Sequence, residues 1–256
     1  MTLSVLDVPV LMYHKVNPLV IDRNTVHIDN FKQQLQYLAQ SGYQTITLAQ
    51  YQECLTGRQV LPIRPIILTF DDGYEDNFTH VLPLLKQYNM KGTIFVVAGG
   101  IGKPCSWLRR HECNQLMTWE QLNKWLEAGM EIGGHTMSHP MLSRLTDAAI
   151  RYELEASKEL LEQELKTKIE FFCYPYGDLD DRVKTLAQIV GYKAGIAIFN
   201  NVSLIHKDIY AIPRVGISSR LPLWEFKLKV SRLYRCFIGM RKIESGLKRV
   251  LRRSHG

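Results

Sequence analysis

The segment Ile66–Tyr74 reads IILTFDDGY, an apolar run that ends in two adjacent carboxylates and a glycine. The apolar part shows no alternation with polar residues, which is typical of a strand buried on both faces of a parallel sheet. Asp71 and Asp72 would repel each other at the end of such a strand. Because Asp caps turns and Gly accepts a positive φ, the triplet by itself indicates only a turn. Its meaning therefore depends on the rest of the chain.

Similar β-rich runs recur on both sides of this segment. In chain order they read VPVLMYH, YQTITL, PIILTF, GTIFVV, MEIGGH, IEFFCY, KAGIAIF and YAIPRVGI. Helical patterns separate several of them, at Asn30–Gln40, Trp119–Ala128 and Asp147–Leu165. Strands that alternate with helices predict an α/β fold with a largely parallel sheet. Seven or eight such units favour a (β/α)7–8 barrel over an open doubly wound sheet.

Polar residues stand where several of the predicted strands end. His14 ends the first run, Asp71 and Asp72 end the third, His135 ends the fifth, and the sequence YPYG at 174–177 ends the sixth. In parallel α/β folds the carboxyl ends of the strands face one mouth, where a site is built from several loops. We therefore expect these groups, which are far apart in sequence, to meet there.

His135 and His139 are four residues apart, a spacing at which two imidazoles on one helical turn can share a metal. An isolated pair at this spacing is more often an exposed surface pair. Two histidines and one carboxylate would leave an open position for water, as in a catalytic metal site. One carboxylate of the Asp pair could then bind the metal while its neighbour accepts a proton, and the metal charge would relieve their repulsion.

Three motifs in this order, TFDDGY (69–74), HTMSH (135–139) and YPYG (174–177), resemble those of the polysaccharide deacetylases, also called the NodB-homology domain or carbohydrate esterase family 4. The resemblance covers roughly residues 9–218. It implies a distorted (β/α)7–8 barrel and hydrolysis of the N-acetyl group of an amino sugar. It also implies that Asp71 is the general base and that Asp72, His135 and His139 hold a divalent metal, most often Zn2+.

The third motif departs from the family pattern, which has an Arg where this chain has Cys173. The Pro and Gly of the motif are kept, so the backbone N–H of Tyr176 resembles the family's oxyanion-hole donor. Arg214, in YAIPRVGI, also stands near a strand end, and a guanidinium can bind a carboxylate through two hydrogen bonds. We expect Arg214 to pair with Asp71; the alternative partner is a surface carboxylate such as Asp208.

The family's late Leu-His motif, which supplies the general acid, is absent. His206 ends the sequence SLIH but precedes Arg214, so it is a weaker candidate. A rearranged branch, similar to the poly-N-acetylglucosamine deacetylases, takes its acid from a His after the first strand. His14 in LMYHKV fits that branch and is the favoured general acid. The alternative is a hydrogen-bonded core histidine.

The charge of the chain is unevenly distributed. The formal net charge is +7, but residues 227–256 contain ten Lys and Arg and one Glu, which leaves 22 basic and 24 acidic residues before them. A nucleic-acid-binding body is therefore disfavoured. From Leu223 onward apolar residues recur at three- and four-residue spacing between basic ones, with interruptions at Gly239 and Gly246. This predicts a barrel over residues 1–222 and a basic amphipathic helical tail over 223–256.

We expect the first two turns of this tail to dock on the barrel. The later part, Met240–Arg253, is expected to contact an anionic membrane surface, although an anionic glycan or another protein would also fit. Neither a secretory signal pattern nor an 18-residue apolar run is present in the sequence. The expected location is therefore cytoplasmic and peripheral on the inner face of the membrane.

The five cysteines are an odd number at scattered positions, which fits reduced thiols better than a disulfide framework. Cys105, His111 and Cys113 do not match a standard zinc spacing. The segment Gly99–Met117 has no clean periodicity and is predicted to be a loop over the barrel rim that sets substrate choice.

The function that these features predict is metal-dependent removal of an N-acetyl group from an amino sugar in a polysaccharide, an oligosaccharide or a lipid-linked glycan. One alternative is removal of a formyl or another small acyl group from a lipid-linked amino sugar, because the same metal site would serve. Another is a catalytically silent glycan-binding barrel, favoured only by the Arg missing from the third motif.

Overall fold

The computed structural model describes residues 8–19, 22–108, 114–198 and 208–231. Its strands are β1 (Val10–Tyr13), β2 (Lys15–Asn17), β3 (Thr25–His27), β4 (Gln44–Thr45), β5 (Pro65–Phe70), β6 (Thr93–Val96), β7 (Glu131–Gly134), β8 (Phe171–Cys173), β9 (Ala194–Ile196) and β10 (Val215–Gly216). Its helices are α1 (Ile28–Gln40), α2 (Leu48–Leu55), α3 (Leu82–Gln87), α4 (Trp119–Glu127), α5 (Asp147–Leu165), α6 (Asp181–Ile189) and α7 (Leu223–Val230).

Eight of the strands form one parallel sheet. Its order is β10-β1-β5-β6-β7-β8-β9, and β4 pairs with the start of β5. Ile212 bridges to Ile196 of β9, and Val215, three residues later, pairs with Leu11 of β1. This segment therefore joins the two edges of the path, and the sheet curls into a barrel with the helices outside. The predicted fold class, a distorted parallel (β/α) barrel, is confirmed.

The helices begin where side chains can satisfy the free backbone N–H groups. The hydroxyls of Thr47 and Thr118 accept from the amides of Gln50 and Gln121, whose side chains accept from the threonine backbones in return. Helix α1 begins two residues earlier than predicted, because the side chain of His27 accepts from the amide of Asp29. Helix α5 has the predicted bounds, and α4 ends one residue earlier than predicted.

Two predicted strands are shorter than expected. The run YQTITL forms only the two residues of β4, because Thr47 already caps α2. In YAIPRVGI only Val215–Gly216 is a strand, since Pro213 has no N–H for the ladder. The pair β2–β3 forms a small separate parallel sheet after His14.

Helix α7, the start of the C-terminal segment, packs on α1. Phe226 is fully buried with its ring centroid 6.3 Å from that of Tyr37, and the Tyr43 hydroxyl donates to the carbonyl of Val230 at 3.0 Å. The first two turns therefore dock as predicted. Residues 232–256, which carry the rest of the tail prediction, lie outside the described residues.

Cys54 and Cys173 are buried free thiols, and Cys105 is also buried. Cys113, Cys236 and His111 lie outside the described residues, as does His206. Within the described ranges, the helices lack the length and apolar character that crossing a bilayer requires.

Candidate active site

A tight turn at the end of β5 points the two adjacent carboxylates in different directions. Asp72 and Gly73 both have a left-handed backbone, with φ of 76° and 79°. A side chain at Gly73 would place its Cβ 2.9 Å from Cγ1 of Val96, so only glycine fits. Asp71 and Asp72 are 1% and 5% exposed. The turn therefore keeps both carboxylates in the barrel mouth without forcing them together.

Asp72 lies between the two histidines of the HTMSH motif. Its Oδ1 is 3.4 Å from Nε2 of His135 and 3.2 Å from Nε2 of His139. All three residues are buried, and their ligand atoms lie within 4.8 Å of one another. The Nδ1 of His135 donates to the carbonyl of Cys173 at 2.7 Å, which directs Nε2 at the cluster. One carboxylate and two imidazoles are a donor set that fits a divalent metal.

The charges in this cluster favour the metal-binding forms of Asp72 and His139. Burial alone would raise the pKa of Asp72, but hydrogen bonds from His135 and His139 hold that pKa well below its usual range. Burial, together with the nearby charge of His135, lowers the pKa of His139. Metal ligands must be an ionised carboxylate and a neutral imidazole. Asp72 and His139 are therefore close to their ligand forms at neutral pH. Burial would lower the pKa of His135, but the nearby Cys173 and the hydrogen bond to Asp72 outweigh burial and raise it, so His135 must give up a proton when a metal binds.

The segment that carries the histidines is a loop. Although the spacing also suits one helical turn, Thr136 and His139 have left-handed backbones, with φ of 69° and 63°. The Thr136 hydroxyl accepts from the His139 amide at 2.9 Å. Such conformations are costly for residues with side chains and persist only where surrounding contacts hold them.

Asp71 faces the other way and pairs with Arg214. The guanidinium donates from Nη1 to Oδ1 at 2.6 Å and from Nη2 to Oδ2 at 2.7 Å. The predicted contact is therefore present, whereas Asp208 pairs with Lys184 at 2.8 Å. Burial would raise the pKa of Asp71, but the charge of Arg214 and its hydrogen bonds outweigh burial and lower it. Asp71 is therefore ionised although it is buried.

Arg214 is itself fixed by neighbouring strands. It is 3% exposed and donates to the Thr69 hydroxyl at 3.0 Å and to the Ala197 carbonyl at 3.3 Å. Its Nη2 also lies 3.1 Å from Sγ of Cys173, the residue that replaces the motif arginine. The guanidinium therefore reaches Asp71 from the residue just before β10. It contacts Cys173, whose side chain is smaller than the motif arginine.

The other two predicted residues also lie at the mouth. Nε2 of His14 is 3.9 Å from Oδ2 of Asp71, and its side chain is 16% exposed. The Asn77 amide donates to the His14 carbonyl at 3.0 Å. Tyr176 has a left-handed backbone with φ of 59°, is 48% exposed, and has its ring centroid 4.6 Å from that of His139. All seven predicted site residues thus line one region.

Two residues at the site were not predicted. Trp107 stacks on His139 with ring centroids 4.7 Å apart and planes 21° apart. Glu153 of α5 accepts hydrogen bonds from the loop between the two histidines. Trp107 comes from an irregular loop without periodicity, so no sequence signal marks it. Glu153 does have a signal, because it is a charged residue on the buried face of α5, beside Ile150 and Leu154.

A family model described as polysaccharide deacetylase matches residues 58–195 of the chain. A Bacillus subtilis (strain 168) protein, YxkH, whose name places it among polysaccharide deacetylases, is 29% identical over 212 residues, which are 82% of this chain and 71% of that protein. The poly-beta-1,6-N-acetyl-D-glucosamine N-deacetylase of Escherichia coli (strain K12) is 22% identical over 257 residues. That match covers 86% of this chain but only 38% of the Escherichia coli protein.

Solved structures show the same fold. The Streptococcus pyogenes deacetylase PplD in complex with acetate aligns with a TM-score of 0.76 at 24% identity, over 88% of this chain and 98% of that one. IcaB from Ammonifex degensii aligns with a TM-score of 0.75 at 24% identity, over 88% and 97%. The motifs, the barrel and the family match agree: this chain belongs to the polysaccharide deacetylase family and is a hydrolase that acts on amide bonds.

Proposed function

We propose that the protein removes N-acetyl groups from N-acetylglucosamine units of a polysaccharide, an oligosaccharide or a lipid-linked glycan. The observation that carries this proposal is that one turn holds both a candidate metal ligand, Asp72, and a second ionised carboxylate, Asp71. Asp72 converges with His135 and His139, while its neighbour Asp71 is paired with Arg214. The names of two relatives, the N-deacetylases of Escherichia coli and of Staphylococcus aureus (strain MRSA252), support the choice of sugar.

Asp72, His135 and His139 would hold a divalent metal, for which Zn2+ is our choice. Such a metal, when bound, polarises an amide carbonyl and makes water a stronger nucleophile at neutral pH. The chain's own contribution is to keep a carboxylate ionised and two imidazoles directed at one point. The buried position and the stacked ring of Trp107 limit the access of solvent to His139.

The remaining roles follow from position. Asp71, ionised and held by Arg214, would accept the proton of the attacking water as general base. His14, 3.9 Å from Asp71, would donate a proton to the amine that leaves the sugar. The backbone N–H of Tyr176 would donate to the oxygen on which negative charge develops. Arg214 would act by orienting Asp71 and keeping it charged.

The test is acetate release from N-acetylglucosamine oligomers and from lipid-linked N-acetyl sugars by Zn2+-loaded protein. We expect release from the wild type and its loss, by at least about 100-fold, in Asp72→Ala, because a catalytic metal ligand is removed. Asp29→Ala, at an exposed aspartate of α1, is the matched control and should behave as the wild type. Equal release by Asp72→Ala would refute the proposed ligand set. Hydrolysis of formyl but not acetyl substrates would favour the deformylase.

We also propose that residues 223–256 form a tail segment that contacts an anionic membrane surface. The support comes from composition and from α7. Trp224 and Leu228, four residues apart and hence on one helix face, are 68% and 42% exposed, while Phe226 and Val230 are buried on the opposite face. The segment that follows is strongly basic. Such contact would suit a lipid-linked substrate at the inner leaflet. The cytoplasmic location stays a prediction that fractionation would test.

A further inference from the structure

Glu153 of α5 reaches the loop that carries the two histidines. Its Oε2 accepts from the backbone amides of Met137 and Ser138, both at 2.9 Å. Its Oε1 accepts from the Ser138 hydroxyl at 2.6 Å. All three donors belong to the two residues immediately before His139. One carboxylate therefore fixes the centre of the segment 135–139.

The segment needs such a contact because its backbone is strained. Thr136 and His139 both have a positive φ, a conformation that is costly for residues with side chains unless neighbouring contacts hold it. The turn that follows β6 holds the same loop from the other side, since the amides of Ala98 and Gly99 donate to the carbonyls of Thr136 and Met137. This turn fixes carbonyls of the loop, and Glu153 fixes the N–H groups of Met137 and Ser138.

The carboxylate of Glu153 is nearly buried, and its hydrogen bonds go to the loop that carries the histidines. It is 9% exposed, and within the described residues no Lys or Arg forms an ion pair with it. Burying a carboxylate is costly unless hydrogen bonds compensate. The neighbours of Glu153 on the same helix face, Ile150 and Leu154, serve the core with apolar side chains. The charge of Glu153 therefore acts through the loop residues that it binds, Met137 and Ser138.

We propose that Glu153 is a positioning residue that presets the distance and angle between the imidazoles of His135 and His139. His135 is already oriented by the carbonyl of Cys173, whereas Nδ1 of His139 is buried and has no hydrogen-bond partner among the residues that the structure describes. The position of the His139 imidazole therefore depends on the loop backbone, and Glu153 fixes that backbone through the amides of Met137 and Ser138. This inference rests on the proposed function, in which the two histidines hold the metal.

The test is the metal affinity of the folded protein. Glu153→Gln keeps the shape of the side chain but turns an NH2 group toward N–H donors, so the loop should relax. We expect its Zn2+ or Co2+ affinity, measured by competition with a chelator, to fall about 10- to 100-fold, as is typical when a group that orients a ligand is changed. The visible spectrum of bound Co2+ should change as well, because the ligand geometry changes.

The matched control is Glu159→Gln, an exposed glutamate on the same helix, which should keep wild-type affinity and spectrum. Ser138→Ala removes only the hydroxyl donor and leaves α5 intact, so it tests the same contact if Glu153→Gln folds poorly. We expect it to lower affinity by a smaller factor, on the order of 3- to 10-fold. Urea unfolding of the metal-free proteins provides a separate measure of stability.

The outcomes separate the two proposals. Wild-type affinity and an unchanged Co2+ spectrum in folded Glu153→Gln or in Ser138→Ala would overturn the positioning role, even if the unfolding midpoint were lower. A wild-type protein that binds neither metal would overturn the proposed function and this inference together. Lower affinity in both variants, with wild-type affinity in Glu159→Gln, would support it.

Discussion

At the scale of single residues, Asp71 is paired with an arginine that does not come from the third motif. Cys173 stands where the family motif has Arg, and Arg214 reaches Asp71 from the segment that leads into β10. The thiol of Cys173 leaves room for this approach and contacts Nη2 at 3.1 Å. Asp71 thus has an arginine partner although the motif arginine, whose absence was the only support for a silent barrel, is missing.

Replacing Arg214 should change the pH dependence of activity. Arg214 holds the pKa of Asp71 below its usual range against the opposing effect of burial. Arg214→Met removes the charge and the hydrogen bonds of Arg214 while the opposing effect of burial remains, so the pKa of Asp71 should rise. The acid limb of kcat/KM should move to higher pH with it, because fewer molecules carry the ionised base. The measurement is a pH profile of acetate release by metal-saturated protein.

The control for this prediction is Arg151→Met, which removes an exposed arginine paired with Glu155 and should leave the profile unchanged. Arg214→Lys keeps the charge but loses the two-pronged geometry, so its shift should be smaller. The folded pKa of Asp71 is depressed, so the stability that the pair contributes is present above the ordinary carboxyl pKa and is lost as the pH falls. An acid limb that stays in place in Arg214→Met would show that Arg214 does not set the charge of Asp71.

Single residues could be predicted where a motif or a strand end marks them. Asp71, Asp72, His135 and His139 follow from motifs, and Arg214 follows from the need to replace a missing charge. Glu153 and Trp107 could not be placed at the site, because their contacts depend on the rotation of a helix and the path of an irregular loop.

At the scale of elements, the barrel is held together by buried polar groups as well as by its core. Glu131, the first residue of β7, accepts from the amides of Leu48 and Ala49 at 2.9 Å each and from the Thr93 hydroxyl at 2.6 Å. This carboxylate therefore caps α2 and joins it to β6 and β7. Burial raises the pKa of Glu131, an effect that the three hydrogen bonds oppose.

Glu131→Gln should therefore destabilise the fold without touching the site. A glutamine keeps one acceptor oxygen but presents an NH2 group to the remaining donors, so at least one buried N–H loses its partner. We expect the free energy of unfolding, measured in urea near neutral pH, to fall by about 1–3 kcal/mol. Glu127→Gln, at an exposed glutamate of α4, is the control and should unfold as the wild type. Equal midpoints for the two variants would contradict this role.

The elements themselves were predictable where periodicity and caps agree. Helices α1, α4 and α5 have ends within two residues of the predicted ones, because amphipathic spacing and Thr or His caps mark them. The pair β2–β3 was not predicted, since each strand has three residues and no alternating pattern. Its parallel pairing depends on contacts that only the folded chain supplies.

At the scale of the whole molecule, the first turn of α7 lies toward the mouth end of the barrel. Strand β10 ends at the mouth, and α7 follows after a short loop, so Trp224 in its first turn is near that end. The exposed apolar residues Val60 and Ile63 instead precede β5 and lie toward the opposite end. The body is near neutral and the tail is basic. Contact through α7 and the tail would thus bring the mouth close to a membrane surface.

We therefore expect the protein to sediment with vesicles that contain phosphatidylglycerol and much less with neutral phosphatidylcholine vesicles. Added salt should release it, because basic segments are attracted by anionic lipid over short distances. The double variant Trp224→Ala with Leu228→Ala should lower the partition coefficient by at least about tenfold, since each side chain loses about 1.5–3 kcal/mol of apolar burial.

The double variant Val60→Ala with Ile63→Ala is the matched control, because both residues are highly exposed, at 94% and 85%, on the other end of the barrel. Acetate release from a soluble oligomer should be the same in both double variants, since neither touches the site. If both variants lost vesicle binding equally, the contact would be non-specific hydrophobic adsorption. If neither did, the tail charges alone would attract lipid and α7 would have no part in it. A wild-type protein that ignored anionic vesicles but bound an anionic glycan would replace the membrane as the partner of the tail.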